Sequence, residues 1–314
     1  MLKDILLKIK HKRFLNKYNQ KVVRQYISCS HTDKNEERCD YVLAVAAHTI
    51  EKGLGCKEKK KEFGVEKAER LCGLLEDYIA KDFNQNKFGF KEAYTVLEAY
   101  IDYKNKNNEK IGEIRNRYEN IKNQLKVDDM NYRAGGEQVK SDEIKCYNKN
   151  EIESFLANSH SIRNYKNEPI KESDIKEAIR IAGYAPSACN RQPNKVYYSM
   201  DEKDITEIDK IVPGNSTIKG ETPNYLILTT KKTHFGMYEY NQWYVNGGIF
   251  ASYLRIALHM QNIGNCIYQW PIDGDSEAIR KIYNIPETEE IICIFGIGYY
   301  DETSFLIKAQ REKL

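Results

Sequence analysis

The chain has 314 residues, enough for two domains with a buried core each. Its net charge of +3 is close to balance, so nothing global calls for nucleic acid, and no apolar run approaches the length of a membrane span. Eight cysteines fall at 29, 39, 56, 72, 146, 189, 266 and 293; none forms C-x-x-C or a paired spacing suited to zinc, so no metal site is expected, and without a signal peptide they read as reduced thiols of a cytoplasmic protein.

From Met1 to Arg24 the sequence is basic and apolar by turns. Leu2, Ile5, Leu6 and Ile9 share one helical face, while Lys3, Lys8, Lys10, Lys12, Arg13, Lys17, Lys21 and Arg24 meet only Asp4 as an acid. Such a helix fits either an anionic membrane surface, as a peripheral contact, or its own domain; the short apolar face favours its own domain. Cys39 to about Leu125 reads as helices at three- and four-residue spacing. The apolar faces are Val42, Leu43, Ala46, Ala47 and Ile50, then Val65, Ala68, Leu71, Cys72, Leu75 and Ile79, then Ala93, Val96, Leu97, Tyr100 and Ile101. Ile111, Ile114, Tyr118, Ile121 and Leu125 follow with coiled-coil-like spacing. His48, Glu51 and Lys52 are helical neighbours, a polar constellation more typical of a satisfied surface pair than of catalysis. The polar stretch 127–149, with Gly135-Gly136, reads as a linker between a helical domain (1–126) and a second domain (150–314).

Asn150 is expected to open a helix, with Glu153 as its capping partner, that delivers Ser159-His160-Ser161-Ile162-Arg163. Arginine pairs with phosphate in bidentate fashion, and neighbouring hydroxyls can fill the remaining oxygens. An amphipathic helix through Ile175, Ala178, Ile179 and Ala182 comes next, then Pro186-Ser187-Ala188-Cys189-Asn190-Arg191-Gln192-Pro193, then strand-like Val196-Tyr197-Tyr198. Taken singly, Ser-x-Arg is an ordinary helix exit and Pro-Ser-x-x-Asn an ordinary turn. Further on, Tyr225 to Leu228 reads as a buried strand, Lys231 to Trp243 as an aromatic loop, and Gly247 to Ile263 as a nearly all-apolar helix closed by Gly264. Cys266 to Trp270 and Ile291 to Tyr300 are further strands, and the tail carries Lys308-Ala309-Gln310-Arg311.

As an ordered pair, the two motifs resemble the nitroreductase family of flavoproteins. That family opens with Arg-Arg/His-Ser-x-Arg/Lys and follows with Pro-Ser-x-x-Asn-x-Gln-Pro. The likeness covers roughly residues 150–311. Ser159 stands where the family usually has its first Arg, Asn194 where an aromatic is common, and the tail after Arg311 is short. The resemblance implies an α+β flavin domain, a small sheet of about four strands flanked by helices, preceded here by the all-helical domain. It implies non-covalent FMN, with Ser159, His160, Ser161, Arg163, Lys308 and Arg311 around the phosphate. Pro186, Ser187 and Asn190 would face the ring from the partner chain of a homodimer paired through the helix at 247–263. Asn215 and Lys219 would face the ring edge, and the backbone at Gln269 or Trp270 would point an N–H at flavin N5. The implied reaction is hydride transfer from NADH or NADPH through FMN to a small organic acceptor, in ping-pong order, with no catalytic side chain. Cys189 then reads as a small packing residue. The other implied role is a flavin-binding sensor or assembly protein that acts through its helical domain without turnover.

Overall fold

The computed structural model of the chain describes residues 2–31, 35–59, 63–128, 130, 134–145, 147–307 and 312. Helix α1 (Leu2–His31) is followed by α2 (Glu36–Leu54), α3 (Val65–Ala80), α4 (Phe88–Lys106) and α5 (Gly112–Lys122). Helices α2 to α5 bury the apolar faces legible in their periodicity: Leu43, Ala47 and Ile50 meet Leu71, Leu75, Phe90, Val96, Leu97, Tyr100, Ile114 and Ile121 in one core. Asn35 caps α2, its side chain accepting from the Arg38 N–H. Asp40 of α2 accepts from the Phe90 N–H at 3.0 Å and so closes the first turn of α4. The two helices cross closely there, because a Cβ at Gly89 would lie 2.0 Å from the Asp40 carbonyl oxygen. Burial raises the Asp40 pKa to about 6.

The stretch read as a linker is not free of the helical unit. Asn86 pairs with Asp128, and Gly136 lies against the backbone of Leu54. A short helix, α6 (Ser141–Ile144), precedes α7 (Lys149–Ala157). Helix α7 starts earlier than its sequence suggests. Asn148, not Asn150, is its N-cap, and the side-chain oxygen of Asn148 takes the N–H groups of Asn150 and Glu151.

The rest of the chain is α8 (Glu172–Ala182), β1 (Asn194–Tyr197), α9 (Glu202–Ile211), β2 (Asn224–Lys231), α10 (Gln242–Met260), β3 (Ile263–Gln269), α11 (Ser276–Tyr283) and β4 (Glu289–Tyr299). The strands form one antiparallel sheet of order β1-β2-β4-β3, with a register shift at Leu228/Thr229. Strand β2 is buried on both faces. Leu226 and Leu228 pack towards α8 and α10, Tyr225 and Ile227 towards α9 and α11. Around this α+β sandwich the expected helices and strands appear with shifted ends. Helix α10 begins at Gln242 and ends at Met260, so Gly264 is a strand residue rather than a C-cap. Asn262 makes the left-handed turn instead (φ 56°), and the missing Cβ of Gly264 leaves room for Ile162, whose Cγ2 would lie 2.9 Å from it.

Helix α1 is longer than its basic stretch, and its two halves differ. Ile5, Leu6 and Ile9, read as a packing face, are exposed, while the Leu2 side chain lies outside the described residues. The second half packs, but on the α+β unit. Val22 and Tyr26 bury against Phe235 and Trp243, and the Tyr26 hydroxyl donates to the Gly236 carbonyl. The fully buried Lys232 ammonium reaches Gln25 at 3.3 Å and Glu290 at 3.2 Å. Helix α2 touches the same turn, where Arg38 donates to the carbonyls of Thr233 (3.1 Å) and Phe235 (2.9 Å). Among the described residues no helix is long and apolar enough to cross a membrane.

The Tyr26 and Trp243 rings lie 5.2 Å apart, and both side chains are buried. Trp243→Ala should cost about 3–5 kcal/mol in urea unfolding. Adding Tyr26→Ala should cost less than it does alone, with a coupling of about 0.5–1.5 kcal/mol. Strict additivity would mean that α1 does not hold this face. His234 supplies a pH test. Burial, then Lys231, Lys87, Arg191 and Arg38, lower its pKa well below 6.5. Between that depressed value and about 6.5 only the unfolded chain takes up the proton. Stability therefore rises with pH in this window by up to ~1.4 kcal/mol per unit from this group. Urea midpoints of parent and His234→Gln between pH 5 and 8 should converge at low pH and separate as pH rises.

Candidate functional site

Helix α7 ends with Asn158 as C-cap, and Ser159 to Arg163 continue as extended chain laid along β3. Ser161 bridges Asn265 in parallel, and the Ile162 N–H donates to the Asn265 carbonyl at 2.9 Å. Tyr165 ties the segment down, its hydroxyl donating to the carbonyls of Ile162 (2.9 Å) and Gly296 (3.1 Å). A guanidinium the sequence reading did not single out, Arg255 of α10, donates to the Ser159 carbonyl. Arg163 and Ser161 are exposed and His160 is half-buried. Burial and the charge of Arg255 lower the pKa of nearby His259. Burial raises Cys266 and Tyr268 on β3, with Arg163 acting against it.

Ser159 Oγ and Asn265 Oδ1 are buried here without a hydrogen-bond partner among the described residues. Buried polar atoms are rarely left so. Two orphaned polar groups beside the Arg255 guanidinium, on the segment that ends in Arg163, fit an anionic ligand. Lys308 and Arg311, expected at the same anion, lie outside the described residues.

The Pro-Ser-x-x-Asn loop is elsewhere. Its Ala188 N–H donates to Asn246 Oδ1 at 2.9 Å, near the start of α10. Arg255, beside Ser159, is nine residues further along that helix, about 14 Å at 1.5 Å per residue. One chain thus places the two motifs towards opposite ends of α10. Pro186 is exposed and Ser187 half-buried, with Ser187 Oγ accepting from the Gln192 N–H at 3.0 Å. Cys189, Asn190 and Gln192 all adopt positive φ (51°, 51° and 47°).

Arg191, which the motif leaves unspecified, holds this loop. Its buried guanidinium donates to the carbonyls of Ala188 and His234, each at 2.7 Å, and to both Glu239 oxygens at 2.8 and 2.6 Å. Tyr41 of α2 and Phe235 flank it, 5.3 and 5.4 Å from the ring centroids. Burial pushes the Glu239 carboxyl up, but the Arg191 fork and the Gly236 N–H outweigh it and hold its pKa below the ordinary range.

Asn215 and Lys219 turn towards their own loop. The buried Asn215 amide donates to the Asp209 carbonyl (2.8 Å) and Asp209 Oδ1 (3.1 Å), and Lys219 reaches the Lys210 carbonyl at 3.3 Å. Gly214 (φ 80°) brings this loop beside the Tyr268 ring, 3.9 Å from its would-be Cβ. Gln269 is exposed at the end of β3. Trp270 donates to Ser276 Oγ at 2.9 Å and stacks over Gly274. It lines a cavity of about 310 Å³ shared with Tyr18 and Gln25 of α1 and with Tyr244.

A family model described as "Nitroreductase family" matches residues 156–242, which contain both motifs. A protein of Archaeoglobus fulgidus that carries the name NADH dehydrogenase/NAD(P)H nitroreductase is 23% identical over 147 residues, 46% of this chain and 83% of that protein. Among solved structures, an FMN-dependent nitroreductase of Clostridium difficile is 20% identical (51% of this chain, 98% of that one, TM-score 0.42). A nitroreductase family protein of Streptococcus pneumoniae is 21% identical (52% and 96%, TM-score 0.44). The part of the α+β unit that carries both motifs, in family order on a four-stranded antiparallel sheet, is thus similar to the nitroreductase family.

Proposed function

We propose that the α+β unit binds FMN along Ser159–Arg163 and works as an oxidoreductase, taking hydride from NADH or NADPH and passing it to a small organic acceptor. The observation that carries this reading is the pair of orphaned buried polar atoms, Ser159 Oγ and Asn265 Oδ1, at the motif segment that holds Arg163 and is gripped by Arg255 of α10. When bound, FMN supplies the hydride chemistry itself. The chain's part is to bind and orient. Arg163 and Arg255 would neutralise the phosphate, with Ser159 and Ser161 as hydroxyl partners. No side chain need act as a nucleophile. Cys189 Sγ accepts from Arg191 at 3.8 Å and packs within the loop, in keeping with a small packing residue. The name of the Archaeoglobus relative supports a nicotinamide donor.

A homodimer belongs to the same reading. Val245, Ile249, Tyr253 and Met260 leave an exposed apolar stripe along α10. It passes between the two motif ends, so a second copy laid across it would bring Pro186, Ser187 and Asn190 of one chain towards Ser159–Arg163 of the other.

The protein should purify yellow. Arg163→Ala should bind FMN about 10- to 100-fold more weakly, from loss of a charge-assisted hydrogen bond. Unchanged affinity in titrations followed by flavin fluorescence would overturn the phosphate assignment. Sedimentation at micromolar concentration should show a dimer, and Ile249→Glu should give monomers. A flavin-loaded parent monomer would refute the shared site. NAD(P)H oxidation with an added acceptor, absent from a yellow protein, would favour a flavin-binding sensor instead.

A further inference from the structure

The Pro186–Gln192 loop is strained. Three residues with a Cβ occupy left-handed backbone within four positions, at a cost of order 1 kcal/mol each, so surrounding structure must hold them there. Most of the grip comes from within the α+β unit, through Asn246, Ser187 Oγ and the Arg191–Glu239 fork. The Asn190 side chain is held differently. Its oxygen takes the Gln192 side-chain amide at 3.3 Å, while its own NH₂ is directed out of the domain to Glu92 Oε1 of α4, at 3.5 Å.

Glu92 is buried between α2 and this loop. Behind it, Glu51 of α2 carries His48 at 3.5 Å, from the polar constellation the sequence singled out. A chain of side chains therefore runs His48–Glu51–Glu92–Asn190, from the helical unit into the nitroreductase motif. The groups that face Glu92 are Glu51 from α2, with His48 behind it, and Asn190 from the loop. Arg191, next in sequence, is turned away to Glu239. Burial, then the charge of Glu51, raise the Glu92 pKa to about 7, with the Asn190 hydrogen bond acting the other way. Glu92 is therefore close to half-protonated at neutral pH.

We propose that Glu92 is a positioning residue for Asn190, by which the helical unit fixes the direction in which the Pro-Ser-x-x-Asn loop presents its amide to the flavin site. The proposal rests on the FMN reading of that site. While Glu92 holds its proton, it stays inside beside Glu51 and accepts from Asn190. When that proton leaves, repulsion from the charge of Glu51 draws the Glu92 carboxylate off the amide. Acceptor binding then weakens, while the hydride chemistry, which Glu92 does not touch, continues.

Two measurements on the full chain test this. In the first, the Asn190 side-chain NH₂ signals, assigned by their loss in Asn190→Ser, are followed by ¹⁵N NMR from pH 5 to 9. They should titrate with a midpoint near 7 in the parent and not in Glu92→Gln. No movement in the parent, or the same midpoint in Glu92→Gln, overturns the proposal whether or not flavin is present. In the second, kcat and KM for the acceptor are measured across the same range. In the parent, KM should rise about 3- to 10-fold above pH 7, the scale of one lost hydrogen bond, with kcat nearly flat. Glu92→Ala should show the raised KM at every pH. Glu92→Gln, which retains an acceptor oxygen without a charge, should restore the low KM and hold it to pH 9. A Glu92→Gln profile that still turns near pH 7 rejects the role of Glu92. Protein that binds no FMN while the Asn190 signals still titrate rejects the flavin reading and leaves the Glu92–Asn190 coupling standing.

Discussion

One buried cation organises the junction on which both halves depend. Arg191 is removed from water, so its guanidinium needs every partner it has: the Glu239 carboxylate, the Ala188 and His234 carbonyls, and the rings of Tyr41 and Phe235. Breaking such a pair from one side leaves an uncompensated buried charge. That requirement joins three separate stretches, namely the motif loop, the turn at 232–239 and helix α2. Because α2 belongs to the helical unit, the geometry of the family motif is set partly by residues outside the α+β unit.

Much of the architecture could be read from spacing. The faces of α2 to α5 follow their three- and four-residue repeat, and β2 and β4 are the continuous apolar runs of buried strands. The two motifs were visible because their residues are neighbours in sequence. What stayed hidden were contacts between distant residues. Glu239 is 48 positions from Arg191, Glu92 is 98 from Asn190, and Arg255 is 96 from the Ser159 carbonyl it binds. Nothing in local pattern announces such pairs. The cap of α7 is ambiguous in sequence for a local reason: Asn148 and Asn150 are equally good cap residues, and the reach of Asn148 to two N–H groups decides between them. His48 and Glu51 look like a surface pair in isolation, and only the approach of Glu92 gives them a direction.

Groups with displaced ionisation gather where the two units meet. Asp40 and Glu92 are raised, His234 is lowered, and in each the first cause is burial. These shifts have opposite effects on stability. The raised carboxyls favour the folded chain at the acid end, whereas the depressed imidazole favours it towards neutrality. The junction between the two units therefore carries pH-dependent contributions of both signs.

The position of α1 bears on how the protein is made. Tyr26 and the Gly236 carbonyl it binds are 210 residues apart. At ordinary rates of translation the second is synthesised about 10–40 s after the first. For that interval Val22 and Tyr26 have no surface to cover, and they share a helix with exposed Ile5, Leu6, Ile9 and Phe14. An uncharged helix of this kind would invite association with other nascent chains. The lysines and arginines spread along residues 3–24 are of the kind that opposes such association.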